Sequence, residues 1–441
     1  MNTAFTYHTS WTPGLHLGVA RLAMLNWQWA RETDGHCVLF CNDINEGRQN
    51  YEDMLPNMLE WLGIRQTHGP YRAVHNKKEY DIVIKLLLDC NMAYRDYATP
   101  EEVHAEREAA RRSKKPFVYS RRFMATSETD AKNYKAEGRK PVVRLKMPRS
   151  DEAQRHEEHI IDDLVFGKRT VYLHEWHDCV IRRSDGRYTS LFTDVVDYHL
   201  HYIDRVFVDF SHFQALPAQI FIANRAHLKL PTFVHIPHLG GPVGSRRFSV
   251  SHLDDDCRNV EFAELVENGV SVDRELPKYV DYGPMHPCYV YFYKKLGFLP
   301  ESLRHYLWET ILDNGSRIDS KALSKPPESP ILDLGKIGHS PVAFDSERIL
   351  GLQEQYMDEC HIVRKAKLVY SILREVSPPK PKVHEPSFVE DVPPEVRAFV
   401  EDYQHEIILG SDILMLMDQL LSNKMEPSED HMMAEGCPNG G

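Results

Sequence analysis

The first hundred residues alternate in period, and this constrains the fold more than any other feature of the chain. Residues 4–9 read as a short strand and meet a turn at Thr12-Pro13-Gly14. Helical apolar spacing follows over residues 18–31, through Ala20, Leu22, Ala23, Leu25, Trp27 and Trp29. A second apolar run at 37–41 and a further helix around 51–62 complete the series. Strand side chains alternate between faces, whereas helical residues share a face every three or four positions, so each change of period marks a change of element. Strand, helix, strand, helix with short connections is the pattern of a parallel, doubly wound sheet. Ligands of such sheets bind outside the carboxyl ends of the strands, which points to residues 9–16 and 42–45.

The rest of the chain changes character several times. Residues 100–160 are highly charged and read as helical, opening with Thr99-Pro100-Glu101-Glu102, a good helix start. Mixed strands are expected over 142–208, a helix over 217–226, and a polar, glycine-rich stretch over 240–251. Proline-rich segments at 325–330 and 378–394 read as linkers, with helical patterns over 346–376 and 394–421. The polar tail 422–441 is expected to be disordered. No internal repeat is evident.

At 441 residues with 42% apolar and 27% charged side chains, the chain can bury two or three cores. A net charge of −12 argues against a protein that coats nucleic acid indiscriminately. It leaves room for a local basic face, as in Arg111-Arg112-Ser113-Lys114-Lys115 or Arg121-Arg122. Eight scattered cysteines with no C-x-x-C pair suit neither a disulfide scaffold nor a zinc ribbon. Asp254-Asp255-Asp256 lacks the glycine and alternate spacing of a calcium loop and reads as a solvated acidic turn. No targeting signal and no apolar run of membrane-spanning length is seen, so a cytoplasmic protein is expected.

The segment Ser10-Trp11-Thr12-Pro13-Gly14-Leu15-His16-Leu17-Gly18-Val19-Ala20-Arg21 carries chemistry. After a strand and opening a helix, it puts His16 and the Gly18 backbone at a helix N-terminus, where amides and the helix dipole favour phosphate. It resembles the first signature of glutamyl-tRNA synthetases, S-P-T-G-x-L-H-x-G-x-A-R. Later segments match the same family in order: Trp61-Leu62-Gly63, Gly69-Pro70-Tyr71, Thr99-Pro100-Glu101-Glu102, Pro141-Val142-Val143-Arg144, Asp162-Asp163-Leu164-Val165, Arg183-Ser184-Asp185-Gly186, Leu296-Gly297-Phe298-Leu299-Pro300-Glu301 and Ser340-Pro341-Val342-Ala343-Phe344-Asp345. The series spans about residues 4–355.

The resemblance implies an α/β fold: a Rossmann-like, doubly wound parallel-sheet catalytic domain with an inserted α+β subdomain, followed by a helical C-terminal region. On this reading the catalytic domain covers 1–95 and 186–250, split by an acceptor-binding-like subdomain at 96–185. An insert with stem-contact-like helices follows at 251–325, then a truncated helical domain at 326–421 and the tail 422–441. The implied activity is activation of an amino acid by ATP, with Mg, as an acyl-adenylate passed to tRNA or another acceptor. Thr12, His16, Gly18, Ser211, Arg246, Arg247 and Ser249 would bind ATP, with His16 and Arg247 catalytic.

Departures from the family pattern fall on the amino-acid pocket. The positions implied for it are Thr6, Ser10, Asn42, Asp43, Ser190, Leu191 and Val208. The family's I-E-D-T-D reads Cys41-Asn42-Asp43-Ile44-Asn45, its Y-N reads Ser190-Leu191, and its R-G-E-D-H reads Val208-Asp209-Phe210-Ser211-His212. With Val208 in place of the arginine, a glutamate carboxylate lacks its partner, which costs roughly several kcal/mol. The K-L-S-K-R loop reads Arg247-Phe248-Ser249-Val250-Ser251, so valine stands where the phosphate-binding lysine belongs. Two readings stay open: an ATP-dependent ligase for an unidentified amino acid, and a non-catalytic relative that binds RNA or protein.

Overall fold

The structure, a computed structural model, describes residues 1–8, 14–42, 54–114, 117–149, 158–244, 246–272, 285–312, 332–376, 392–410, 412–413 and 415–416. The chain forms two compact units, Met1–Arg247 with Leu307–Ala343, and Phe248–Tyr306 with Phe344–Gly441.

In the first unit, β1 (Thr3–His8) leads into α1 (Leu17–Glu32), then β2 (Cys37–Asn42), α2 (Met54–Trp61) and β3 (His68–Arg72). These elements follow the alternation read from the sequence to within a few residues at each end; residues 51–53 of the expected second helix lie outside the described residues. α3 (Lys77–Asp89) follows, and the inserted region then contributes β4 (Ala93–Asp96), α4 (Pro100–Arg112), α5 (Glu128–Ala136), β5 (Val142–Leu145), β6 (Glu158–Asp163), β7 (Gly167–Tyr172) and β8 (Val180–Arg182). The main sheet resumes through α6 (Ser190–Leu200), β9 (Arg205–Asp209), α7 (Leu216–Ala226) and β10 (Thr232–Ile236).

The main sheet is parallel, in the order β10-β9-β1-β2-β3. The chain steps outward from β1 to β3, then returns on the other side of β1. Its direction of winding reverses between β1 and β9, and a sheet of this kind opens its ligand crevice at that reversal. The register supports the opening. β1 and β2 pair along their full length, Thr3↔Cys37 to His8↔Asn42, whereas β1 and β9 pair only at Thr3↔Arg205.

The α1 residue Asn26 fills the fork where β1 and β9 part. Its amide donates to Phe207 O at 3.2 Å and its carbonyl accepts from Phe207 N at 3.2 Å. The Thr3 hydroxyl also donates to the Asn26 side-chain oxygen. Asn26 is fully buried. Its amide thus takes the place of a neighbouring strand's peptide, satisfying backbone groups that would otherwise be buried without partners.

The inserted region is not helical throughout 100–160. Two helices, each opened by a capping box (Thr99 with Glu102, Ser127 with Asp130), give way to β5 at Val142. β4, β5 and β8 form an antiparallel sheet, and β6 and β7 a hairpin. Arg121, read as part of a local basic run, is instead buried: its Nε lies 2.7 Å from Asp178 Oδ2. Arg144 pairs with Asp96 at 2.6 Å beside it, also buried. Both arginines sit among tyrosines whose hydroxyls complete the carboxylates' hydrogen bonds, Tyr94 to Asp178 and Tyr119 to Asp96. Buried carboxylates need such full satisfaction to be tolerated.

In the second unit, Asp254-Asp255-Asp256 is not a solvated turn. It lies in the short helix Leu253–Asp256, and Asp256 is fully buried. The helix Val260–Val272 follows, and its Phe262 packs with Phe248, His286 and Phe344 in an aromatic cluster. The segment after residue 251 thus adds to a core rather than looping from the surface. The expected helix over 346–376 is two helices, Ser346–Asp358 and Ile362–Val376, interrupted where His361 Nδ1 accepts from Val363 N. Helix Pro394–Tyr403 begins as expected. The tail 422–441 and the linkers at 325–330 and 378–391 lie outside the described residues. Among the described residues no helix is long and apolar enough to cross a membrane.

Candidate active site

Two clusters flank the reversal between β1 and β9. On the β1 side, His16 is the N-cap of α1, with extended backbone (φ −69°, ψ 141°), and its Nδ1 accepts from Gly18 N at 3.0 Å. A Cβ on residue 18 would lie 3.2 Å from His16 Nδ1, so the glycine leaves the imidazole room to fold back over the helix end. A ring nitrogen that accepts an amide proton must carry none itself, so in the neutral ring the proton sits on Nε2. The spacing H-x-G therefore does two jobs: it caps the helix and makes His16 a hydrogen-bond donor at an N-terminus that favours anions. Arg21, one turn on, is buried and donates to Pro237 O at 3.2 Å and Thr310 O at 2.7 Å. It ties α1 to the backbone beyond β10 and has a structural part that motif reading did not assign.

On the other side, β9 ends at Asp209, which caps the following 3-10 turn (Phe210–Ala215) by accepting from Ser211 N at 2.9 Å. Arg247 donates to Asp209 Oδ1 at 2.5 Å and to Ser211 Oγ at 2.7 Å. Burial alone would push the Asp209 carboxyl up, but Arg247 and the Ser211 hydroxyl and amide outweigh it and hold it below the usual carboxylate range. Gly240 bridges to Arg247, Gly241 N donates to Arg246 O at 2.8 Å, and Gly244 takes the left-handed conformation (φ +81°). Behind this flank, His235 of β10 and Asp163 of β6 form a fully buried pair, Nδ1 to Oδ2 2.7 Å, walled by Phe210, Phe213 and Phe233. Burial pushes Asp163 up, yet His235 and the amides of Phe166, His235 and Val165 bring it below its ordinary range.

The structure thus brings together His16 with Gly18, and Arg247 with Ser211. Ser249 lies in the second unit, where its hydroxyl accepts from Ser251 N. Thr6 and Asn42 lie on β1 and β2, but their side chains, and all of Ser10, Thr12 and Asp43, fall outside the described residues. Val208 is half-buried and packs on the core beneath β9. Leu191 packs against another core cluster at the start of α6, beside Ser190. Asp209, Asp163, His235 and Asn26 were not singled out from sequence. Asp209 left a signal as a carboxylate in the glycine position of the R-G-E-D-H pattern, and Asp163 lies in the matched segment Asp162-Asp163-Leu164-Val165.

The inserted region holds a cavity of about 790 Å³, whose walls include His104, Arg107, Arg139, Lys140, Arg144 and Ser184. Arg139 is engaged by Glu102 and Glu137, and Arg144 by Asp96.

Comparison with known proteins agrees with the fold and the sequence motifs. A family model described as tRNA synthetases class I (E and Q), catalytic domain, matches residues 8–247. A glutamate–tRNA ligase of Nitrosomonas europaea is 31% identical over 370 residues, 83% of this chain and 69% of that protein. One from Staphylococcus saprophyticus is 26% identical over 461 residues, 97% of this chain and 87% of that protein. A solved glutamate tRNA ligase from Elizabethkingia meningosepticum, in complex with its amino acid, superposes with a TM-score of 0.68 at 19% identity, covering 98% of this chain and 84% of that one. The glutamate–tRNA synthetase of Elizabethkingia anophelis gives 0.69 at 20% identity, covering 95% and 80%. The two structures speak to the fold; the sequence matches define the lineage. The chain belongs to the class I tRNA synthetases of the glutamate and glutamine type.

Proposed function

We propose that this chain activates an amino acid with ATP and transfers it to tRNA. An oxygen of the amino-acid carboxylate attacks the α-phosphorus, pyrophosphate leaves, and the acyl-adenylate then yields its acyl group to a tRNA hydroxyl, releasing AMP. The observation that carries the reading is His16: an imidazole held by its own helix end as an Nε2–H donor, beside the reversal of the parallel sheet. A donor preset for the α-phosphate oxygens stabilises the charge that develops there without reorganising during the step. Arg247 is the cation assigned to the departing phosphates in place of the lysine that Val250 replaces. Magnesium would arrive on the triphosphate oxygens, as this small, strongly hydrated cation commonly does.

The amino acid is proposed to differ from glutamate. The half-buried, apolar Val208 supports this, since it offers a side-chain carboxylate neither charge nor hydrogen bond. The cationic walls of the cavity in the inserted region, Arg107 and Lys140 among them, support a phosphate-bearing acceptor. A second reading, a relative that binds RNA without chemistry, is favoured by Val250 and by the engagement of Arg247 with Asp209. Amino-acid-dependent ATP–pyrophosphate exchange, run over a panel of amino acids with and without total tRNA, decides between them. Exchange with one amino acid establishes adenylate formation and names the substrate. Silence across the panel rejects the synthetase reading.

A further inference from the structure

Arg247 is the side chain that the proposed reaction needs at the phosphates, yet it already grips an anion. Its guanidinium contacts Asp209 at 2.5 Å and Ser211 at 2.7 Å, while half of the arginine side chain stays exposed. The carboxylate is fixed rather than adventitious. Asp209 ends β9, its side chain caps the turn that follows, and only 17% of it is exposed. The arginine is positioned from its own side as well, by the Gly240–Arg247 bridge and the Gly241–Arg246 hydrogen bond. A guanidinium offers the same planar fork of donors to a carboxylate and to a phosphate, and one set of donors cannot serve both at once.

We propose that Asp209 is an internal competitor for the phosphates of ATP: it holds Arg247 at the end of β9 until the triphosphate takes the guanidinium over. The inference rests on the assignment of Arg247 to the phosphates and adds a regulator of its availability. In this family's R-G-E-D-H pattern the position carries glycine, which offers no side chain to hold an arginine, so the device belongs to this chain's own residues. Binding of ATP must first break the Arg247–Asp209 contact. That lowers affinity by about fivefold, the equivalent of a half-exposed pair worth about 1 kcal/mol. Asp209 acts only through Arg247, as a positioning residue.

The test is calorimetric titration of ATP into the full chain and into four variants: Asp209→Asn, Asp209→Glu, Arg247→Ala and the Asp209→Asn/Arg247→Ala double variant. Thermal melts verify that each variant is folded. Asp209→Asn is expected to bind ATP about fivefold more tightly than the unsubstituted chain, with Asp209→Glu close to the unsubstituted chain. Arg247→Ala is expected to bind more weakly, and the double variant to match Arg247→Ala, because the carboxylate then has nothing to withhold. Tightening only in Asp209→Asn, even where the unsubstituted chain binds too weakly to measure, supports the proposal. Unchanged or weaker binding by Asp209→Asn, with ATP binding otherwise intact and lost in Arg247→Ala, overturns the proposal alone. Equal tightening with and without Arg247 overturns it too, since Asp209 would then act as a plain repulsive charge. Absence of ATP binding in every form, Asp209→Asn included, overturns both the proposal and the nucleotide site beneath it.

Discussion

The two sides of the crevice between β1 and β9 hold their side chains in different ways. On the β1 side, His16, Asn26 and Arg21 are tied into the backbone. His16 caps α1, Asn26 stands in for a strand, and Arg21 holds carbonyls at residues 237 and 310. On the β9 side the exposed Arg247 and Ser211 are tied to the largely buried Asp209, itself a cap on Ser211 N, in front of a buried pair, Asp163 with His235. A side chain that satisfies backbone groups cannot be changed without a cost to folding. An exposed side chain such as that of Arg247, bonded only to other side chains, can be changed at less cost. The β9 side departs from the family pattern at Val208 and Asp209, and the end of β2 departs from it at Asn42.

The contrast can be broken or sharpened by substitution. The largest effect is expected at the buried pair. Asp163→Ala should destabilise the chain by about 4 kcal/mol in denaturant titration, because His235 stays buried without its carboxylate. Since the folded Asp163 carboxyl lies below its ordinary range, its contribution is complete above about pH 4 and fades as pH falls through the folded value. A melt series from acid to alkaline pH in which variant and parent stayed apart at low pH and converged only at alkaline pH would contradict this. Asn26→Ala should cost about 3 kcal/mol, as Phe207 loses both backbone partners at the fork; a loss below about 1 kcal/mol would mean that water or β1 fills the gap.

His16→Asn sharpens the comparison most. Asparagine is a good N-cap, so thermal stability should hold to within about 1 kcal/mol while pyrophosphate exchange falls by about 100-fold or more. Loss of both together would show that His16 matters only to folding. The smallest effect is expected on the opposite side. Asp209→Asn should lower stability by less than about 1 kcal/mol at neutral pH, since Arg247 is half exposed. A large loss there would erase the distinction between the two sides.

How much was legible beforehand follows the same division. The His16–Gly18 turn could be read directly, because both partners lie within one turn of a helix and their spacing carries the geometry. The charged stretch 100–160 misled, because charge pattern alone does not reveal that Arg121 and Arg144 find buried carboxylates at Asp178 and Asp96. Likewise Asp254-Asp255-Asp256 looked solvated, while the fold buries its third member.

By itself, the sequence determined the alternation of strands and helices, hence the parallel sheet, and the cap that aims His16 at the helix end. These depend on local period and short-range hydrogen bonds, which neighbouring residues encode. Only the tertiary structure decided where β1 and β9 part and which side chains hold the fork and its flanks. Asn26 meets Phe207 across 181 positions, His235 meets Asp163 across 72, and Arg247 meets Asp209 across 38. Such pairs form because folding removes both groups from competing partners at one place, and no local spacing records that.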